Sequence, residues 1–320
     1  MATNPARRLI QRYPFLPALL IMLLLLMANG VFSANSVSFR GLTGLVSTYL
    51  ALMLLSIAQT YPVYSGDIDL SVGAIVSLVN VTVISLMQVW GGEPVAVLAA
   101  ILVGVLIGGL CGIINGWVVA YLRLQAIVAT FATGIFFSGL ALLILPVAGT
   151  PAPQVFWRTY GGTLLGLPFV LWMLIALVVL IMLLSRTRLV VQLLAVGDNQ
   201  SSAYQSGLSV PGIRLRGYVL CGVFAALAAV CITGDTASGD PLVGSQMTLL
   251  SVAAVVLGGS ALSGGFGTVS GSVFGALSLA LINSLVYFAG TPSQWQNFAQ
   301  GLAILVALML GVIVSRWARA

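Results

Sequence analysis

The chain has no histidine, no lysine, three cysteines and six acidic residues among 320. Each shortage removes a class of function. Without histidine, the commonest general base is missing. Without lysine there is no phosphate loop of the Gly-x-x-x-x-Gly-Lys-Ser/Thr type, so Gly264-Gly265-Phe266-Gly267 reads as a tight turn rather than a nucleotide site. Cys111, Cys221 and Cys231 stand apart inside apolar runs, with neither metal-ligand spacing nor a disulfide framework, and read as small packing residues. Charged residues make up 6% of the chain, against about 25% in an ordinary soluble domain. No polar stretch is long enough for a separate soluble domain; the longest runs from Arg186 to Arg216.

What is present is apolar. Hydrophobic residues make up 60% of the chain, and the mean hydropathy is +1.15. A membrane-crossing helix needs about 20 mostly apolar residues. The candidate runs are 14–33, 42–64, 70–90, 95–121, 126–147, 164–184, 217–233, 247–262, 269–289 and 296–315. The expected fold is an all-α polytopic membrane bundle of about ten transmembrane helices, in one domain over residues 1–320. The net charge of +6 comes wholly from arginine in short loops. It reads as a topology signal in a lipid bilayer and gives no reason to expect nucleic acid. With the N-terminus inside, Arg7, Arg8, Arg12, Arg123, Arg186, Arg188, Arg214, Arg216, Arg316 and Arg319 fall on the cytoplasmic side. Only Arg40 and Arg158 fall outside, so both termini are expected in the cytoplasm. Arg7, Arg8 and Arg12 before an apolar run also fit a secretory signal. No clean small-x-small site lies near Asn29–Asn35, and a retained first span is expected.

Glycine is abundant, with 36 residues. Gly104, Gly108 and Gly112 form small-xxx-small faces that let helix backbones approach closely. A weak parallel repeat relates about 42–121 to 247–315: Leu54-Leu55-Ser56-Ile57-Ala58 precedes Ser65-Gly66 much as Leu249-Leu250-Ser251-Val252-Ala253 precedes Ser260-Ala261. Between two apolar runs lies Ser65-Gly66-Asp67-Ile68-Asp69-Leu70-Ser71-Val72-Gly73, which holds two of the six acidic residues. Carboxylates inside a bilayer are costly. Pro62 and Gly66 break the helix near the expected inner face. Either Asp could cap the helix beginning near Leu70, or take part in gating or in contact with an ATPase.

The segment 65–73 also opens a series of ordered blocks. The others are Ile114-Asn115-Gly116 to Arg123, with Ala129-Thr130-Phe131-Ala132-Thr133 and Ser138-Gly139-Leu140-Ala141; Ala195-Val196-Gly197-Asp198-Asn199 with Ala203 and Gly207; Leu257-Gly258-Gly259-Ser260 with Gly264-Gly265-Phe266-Gly267-Thr268; and Gln296 to Gly301. In this order they resemble the permease subunits of bacterial ribose/galactose-type ABC importers, over nearly the whole chain. Ser138, Phe266 and Gln125 depart from the family pattern, which has basic residues at the first two positions and proline at the third.

The resemblance implies an inner-membrane transport subunit, not an enzyme. It would pass a monosaccharide or similar small polar solute from a periplasmic solute-binding protein. A second permease copy or a homologous permease and a cytoplasmic ATP-binding subunit would complete the importer. ATP and Mg would bind that subunit, and no cofactor would bind this chain. Within the loop 186–216, Asp198 and Asn199 can cap a short helix over 200–206 that Gly207 ends. Gly197, Asp198, Asn199, Ser201, Ser202, Ala203 and Gly207 then occupy the coupling motif facing the ATPase. Gly66, Asp67, Asp69, Ser71, Gly73, Gly258, Gly259, Gly264 and Gly265 form the signature or gate. Candidates for the translocation path are Asn80, Asn115, Thr130, Thr133, Asn283 and Gln296, with Trp117 and Phe136 as stacking faces. Taken singly, each of these fits a helix-to-helix hydrogen-bonding or packing residue better than a path residue. The rival reading is an ion-coupled secondary transporter, for which Asp67 and Asp69 are the only intramembrane acids.

Overall fold

The computed structural model describes residues 13–319. Arg7, Arg8 and Arg12, part of the orientation signal, lie outside the described residues. The chain forms α1 (Leu16–Phe32), α2 (Phe39–Tyr64), α3 (Val72–Val89), α4 (Pro94–Ala120), α5 (Ala126–Ile144), α6 (Gln154–Tyr160), α7 (Phe169–Ser185), α8 (Arg188–Asp198), α9 (Gln200–Gln205), α10 (Val210–Thr236), α11 (Met247–Leu257), α12 (Val269–Phe288) and α13 (Ser293–Arg319). Two antiparallel ladders tie the loops at one end: Thr150–Pro151 with Ser238–Gly239, and Thr163–Leu164 with Leu167–Pro168.

Each of the ten apolar runs contains one helix. Among the described residues, α2, α3, α4, α5, α10 and α12 are long and apolar enough to cross a membrane. The pair α7 and α8, bent by 66°, makes a seventh if taken as one span. The run 247–262, expected to be a full span, yields only the 11 residues of α11. At 1.5 Å per residue that is about 16 Å, half of a hydrocarbon core of about 30 Å. The cause is local: Gly258 and Gly259 follow directly, and Gly259 has φ +85°. The run 217–233, short in the sequence, extends to 27 residues as α10.

The core sits on α10 and α3. Tyr218, Cys221, Phe224, Ala225, Ala226, Ala228 and Ala229 of α10 are shut away from the surface, as are Val72, Ile75, Val76, Val79, Val83 and Ile84 of α3. Helices that are apolar around their circumference belong inside a bundle. Close approach between α4 and α10 depends on glycine. A side chain at Gly108 would strike the Gly222 backbone and Ala226, and one at Gly112 would strike the backbone of Tyr218 and Val219. The small-residue spacing read in α4 is therefore a packing seam.

Two irregular segments interrupt the bundle: Ser65–Ser71 between α2 and α3, and Gly258–Thr268 between α11 and α12. The order helix, glycine-containing break, helix, helix occurs over residues 39–120 and again over 247–319. In α8, Leu193 and Val196 are buried, so this part of the cytoplasm-assigned loop packs onto the bundle.

Candidate functional site

The break 65–71 is built by its own sequence. In the last turn of α2, the carbonyl of Pro62 accepts from the N–H groups of Ser65 and Asp67, both at 3.0 Å. Gly66 then takes φ +82°, a conformation that a side chain would oppose. The chain thereby turns inward and buries both acids.

Asp67 and Asp69 meet different partners. Arg214, in the first turns of α10, grips Asp67 with both arms: Nε donates to Oδ2 at 2.9 Å and Nη2 to Oδ1 at 2.8 Å. This is the one salt bridge among the described residues. Asp69 is fully buried. Its Oδ1 accepts from the N–H of Ser71 at 2.8 Å and from the Ser71 hydroxyl at 2.7 Å. Its Oδ2 accepts from Asn115 Nδ2 at 3.2 Å and, weakly, from the Cys221 thiol at 3.7 Å. Asn115 also donates to Ser71 Oγ at 2.6 Å and accepts from the Thr133 hydroxyl at 2.6 Å. Thr130 accepts from the N–H of Leu70 at 2.9 Å. With its amide turned to satisfy both groups, Gln59 bonds the carbonyl and the N–H of Asp69 at 3.1 Å each. The break is thus tied to α2, α4, α5 and α10 at once.

This geometry corrects the capping idea. Helix α3 begins at Val72, and its cap, Ser71, makes no side-chain capping bond. Asp69 sits two positions earlier and sets a turn by accepting from Ser71. Asp67 is an ion-pair partner. Neither carboxylate occupies the cap.

The segment 197–207 forms the short helix its composition suggests, with Asn199 rather than Asp198 as the cap. Asn199 Oδ1 accepts from the N–H of Ser202 at 2.9 Å. Asp198 ends α8. Gly207 closes α9 at φ +79°. Its N–H bonds the carbonyl of Tyr204 at 2.9 Å, and the next N–H, of Leu208, bonds that of Ala203 at 3.1 Å, the paired pattern of a glycine-terminated helix. Ala203 is buried, while Gln200, Ser201, Ser202 and Tyr204 are exposed.

Sequence blocks far apart meet at one glycine junction. The N–H of Gly265 donates to the carbonyl of Tyr64 at 3.1 Å. A side chain at Gly197 would strike the Tyr64 carbonyl and the Gly265 N–H. One at Gly264 would come within 2.7 Å of the Gly66 nitrogen and 3.0 Å of the Gly197 Cα. The connector α8–α9 therefore touches the end of α2 and the second break in one place. Gly73 packs against the Gly244 backbone, and Gly258 against Gly271.

The remaining path candidates do not share one site. Asn115, Thr130 and Thr133 belong to the Asp69 network. Asn80 is buried elsewhere, donating to Thr233 Oγ1 at 2.7 Å and accepting from the N–H of Asp240 at 2.8 Å. Asn283, bonded to the Tyr49 hydroxyl at 3.0 Å, and Gln296 line a separate cleft of about 1010 Å³ that also holds Arg40 and Asn297. Trp117 and Phe136 are exposed on the outside of the bundle. Sequence reasoning misses Arg214 as a site residue, because it reads there purely as a topology charge. An Arg opening a span on the expected side of Asp67 is the available signal.

A bundle of membrane-length helices with two glycine breaks, packed against a capped connector, has the form of a multi-pass transport permease. The comparisons give the family: the model described as "Branched-chain amino acid transport system / permease component" matches residues 41–308, and the chain belongs to that family. The autoinducer 2 import system permease protein LsrC of Escherichia coli O157:H7 is 33% identical over 306 residues, 94% of this chain and 88% of that one. LsrC of Yersinia enterocolitica serotype O:8 / biotype 1B is 33% identical over 296 residues, 91% and 81% of the two chains. The ribose import permease protein RbsC of Bacillus subtilis (strain 168) is 35% identical over 261 residues, 80% of each chain. These relatives match the ribose/galactose-type ABC permeases that the signature blocks resemble. No solved structure matches the chain.

Proposed function

We propose that the chain is the membrane-spanning permease subunit of an ATP-driven importer in the bacterial inner membrane. It moves a monosaccharide or similar small polar solute, handed over by a periplasmic binding protein. It works beside a second permease, identical or homologous, and a cytoplasmic ATP-binding subunit that carries the ATP and Mg. Family membership and the ribose and autoinducer 2 permeases among its relatives support this reading. The observation that carries the mechanism is the glycine junction. It seats the end of α8 directly against the end of α2 and the second break, and only Asn199 separates α8 from the exposed, capped α9, so a push on α9 reaches the bundle through a joint of one residue.

Ten crossings with both termini in the cytoplasm fit this scheme, the eighth being made by the half-length α11 together with the turns at 240–246, which pack against Asn80, Ser77 and Gly73 of α3. Pro14 lies near Gly259, beside the second break and on the end of the bundle that carries the cleft lined by Arg123, Arg214 and Gln200. Arg40 lies in the other cleft, with Asn283 and Gln296. That second cleft, lined by amides and hydroxyls, suits the periplasmic mouth of the path for a neutral polyhydroxylated solute. An ion-coupled mechanism finds less support. Asp67 is neutralised by Arg214, and both oxygens of Asp69 already accept donors from the chain, which leaves no open face for a transported ion.

The test is ATP hydrolysis by the chain assembled with its ATP-binding subunit. The wild-type complex should show hydrolysis stimulated by loaded binding protein. Ala203→Arg, which places a large charge at a buried position of α9, should insert normally and lose about tenfold or more of the stimulation. Full stimulation in that variant would remove α9 from the coupling path.

A further inference from the structure

We propose that Asp67 and Arg214 form a latch that holds the cytoplasmic end of the path closed and must release for the solute to leave. The inference rests on the importer reading for its direction, and on the geometry of the break for its substance.

Several ties hold the break 65–71, and they are not alike. Asp69 with Ser71 and Asn115 is sealed inside the bundle, as is Gln59 against the Asp69 backbone. Thr130, which binds Leu70, is fully buried as well. The Asp67–Arg214 pair differs: its side chains remain 8% and 14% exposed, and both residues line a cleft of about 770 Å³ open to the surface. Separating sealed charges leaves an uncompensated ion, whereas a pair on the wall of an open cleft can exchange its partner for water and for another charge as it parts. Of the ties, this one is built to open and re-form.

Its position suits that task. Asp67 follows Gly66, whose nitrogen abuts Gly264 at the junction with Gly197. Arg214 stands on α10, directly after α9 and Gly207. The two ends of the latch are therefore carried by segments that the connector can move apart. Arg123 lines the same cleft and makes no ion pair among the described residues. Its charge would stabilise the freed carboxylate and lower the barrier to release. The Gln200 and Tyr204 side of α9 forms another part of the cleft wall, which places the coupling surface and the latch around one opening.

The test uses a thiol probe at Ala120, which lines this cleft and is 2% exposed. The native Cys111, Cys221 and Cys231 are buried and set the background. In the full chain in membranes, Ala120→Cys should label slowly with a polar maleimide. Adding Asp67→Asn or Arg214→Gln should speed labelling about tenfold, and the exchanged pair Asp67→Arg with Arg214→Asp should return it most of the way. Unchanged labelling in both single variants overturns the latch, as does an exchanged pair that inserts normally yet labels like the singles. In the assembled importer, the singles should also hydrolyse ATP without solute while uptake falls. Labelling needs no ATP-binding partner, so it judges the latch independently. Loss of ATP-driven uptake in the wild type would instead overturn the importer reading.

Discussion

Gly197→Ala should cut solute uptake by the assembled importer about a hundredfold, the kinetic equivalent of about 3 kcal/mol. A single methyl has this reach because of what it meets. The atoms beside it are the Tyr64 carbonyl and the Gly265 N–H, both backbone groups. A crowded side chain can rotate away; a crowded backbone must move, and with it the ends of α2 and of the second break. The Tyr64–Gly265 hydrogen bond, 3.1 Å in the native chain, breaks first. Gly91→Ala is the control. That glycine has open space around it and only a positive φ to lose, at a cost of about 1 kcal/mol. Uptake and surface expression of the two variants, measured side by side, separate crowding at the junction from simple glycine replacement. Equal uptake in both would mean that the junction transmits nothing.

The second large effect belongs to Asp69. Removing its carboxylate with Asp69→Ala leaves the N–H of Ser71, the Ser71 hydroxyl and the Asn115 amide without their acceptor in a sealed interior. The expected loss is about 3 kcal/mol of stability, read as a lower Tm in detergent together with lost uptake. Asp69→Asn is no neutral replacement. Its oxygen can keep the Ser71 turn, but its NH2 then faces the NH2 of Asn115, donor against donor. The exchanged pair Asp69→Asn with Asn115→Asp restores one donor and one acceptor across the contact and should recover a good part of the Tm. A Tm for Asp69→Ala within a degree of wild type would show that the network contributes little.

The apolar runs made the helices legible, because the need for about 20 apolar residues per crossing leaves a coarse, robust trace. The half-length α11 escaped that trace. Its residues are as apolar as a full span, and only the two glycines at 258 and 259 mark where it stops. Signature residues were legible as a set of sites but not as one site. Nothing local in Gly66, Gly197 and Gly264 states that they touch; their contact is a product of tertiary packing between blocks some 130 and 67 residues apart along the chain. The acids show the same limit. That Asp67 and Asp69 sit at a helix break could be read from Pro62 and Gly66. That one pairs with Arg214 and the other with Ser71 and Asn115 could not, because a partner from α10 or α4 has no fixed sequence offset. Trp117 and Phe136 show the converse. They lie on the same helices as Asn115 and Thr133, but helical rotation turns them to the outside of the bundle.

The most direct test of the account is solute uptake into sealed vesicles holding the chain with its ATP-binding subunit, with loaded binding protein on the side facing the Arg40 cleft. Uptake should continue when ionophores collapse the proton and sodium gradients, and should stop when ATP is replaced by a non-hydrolysable analogue. Uptake that survives without ATP hydrolysis and follows an imposed ion gradient would contradict it.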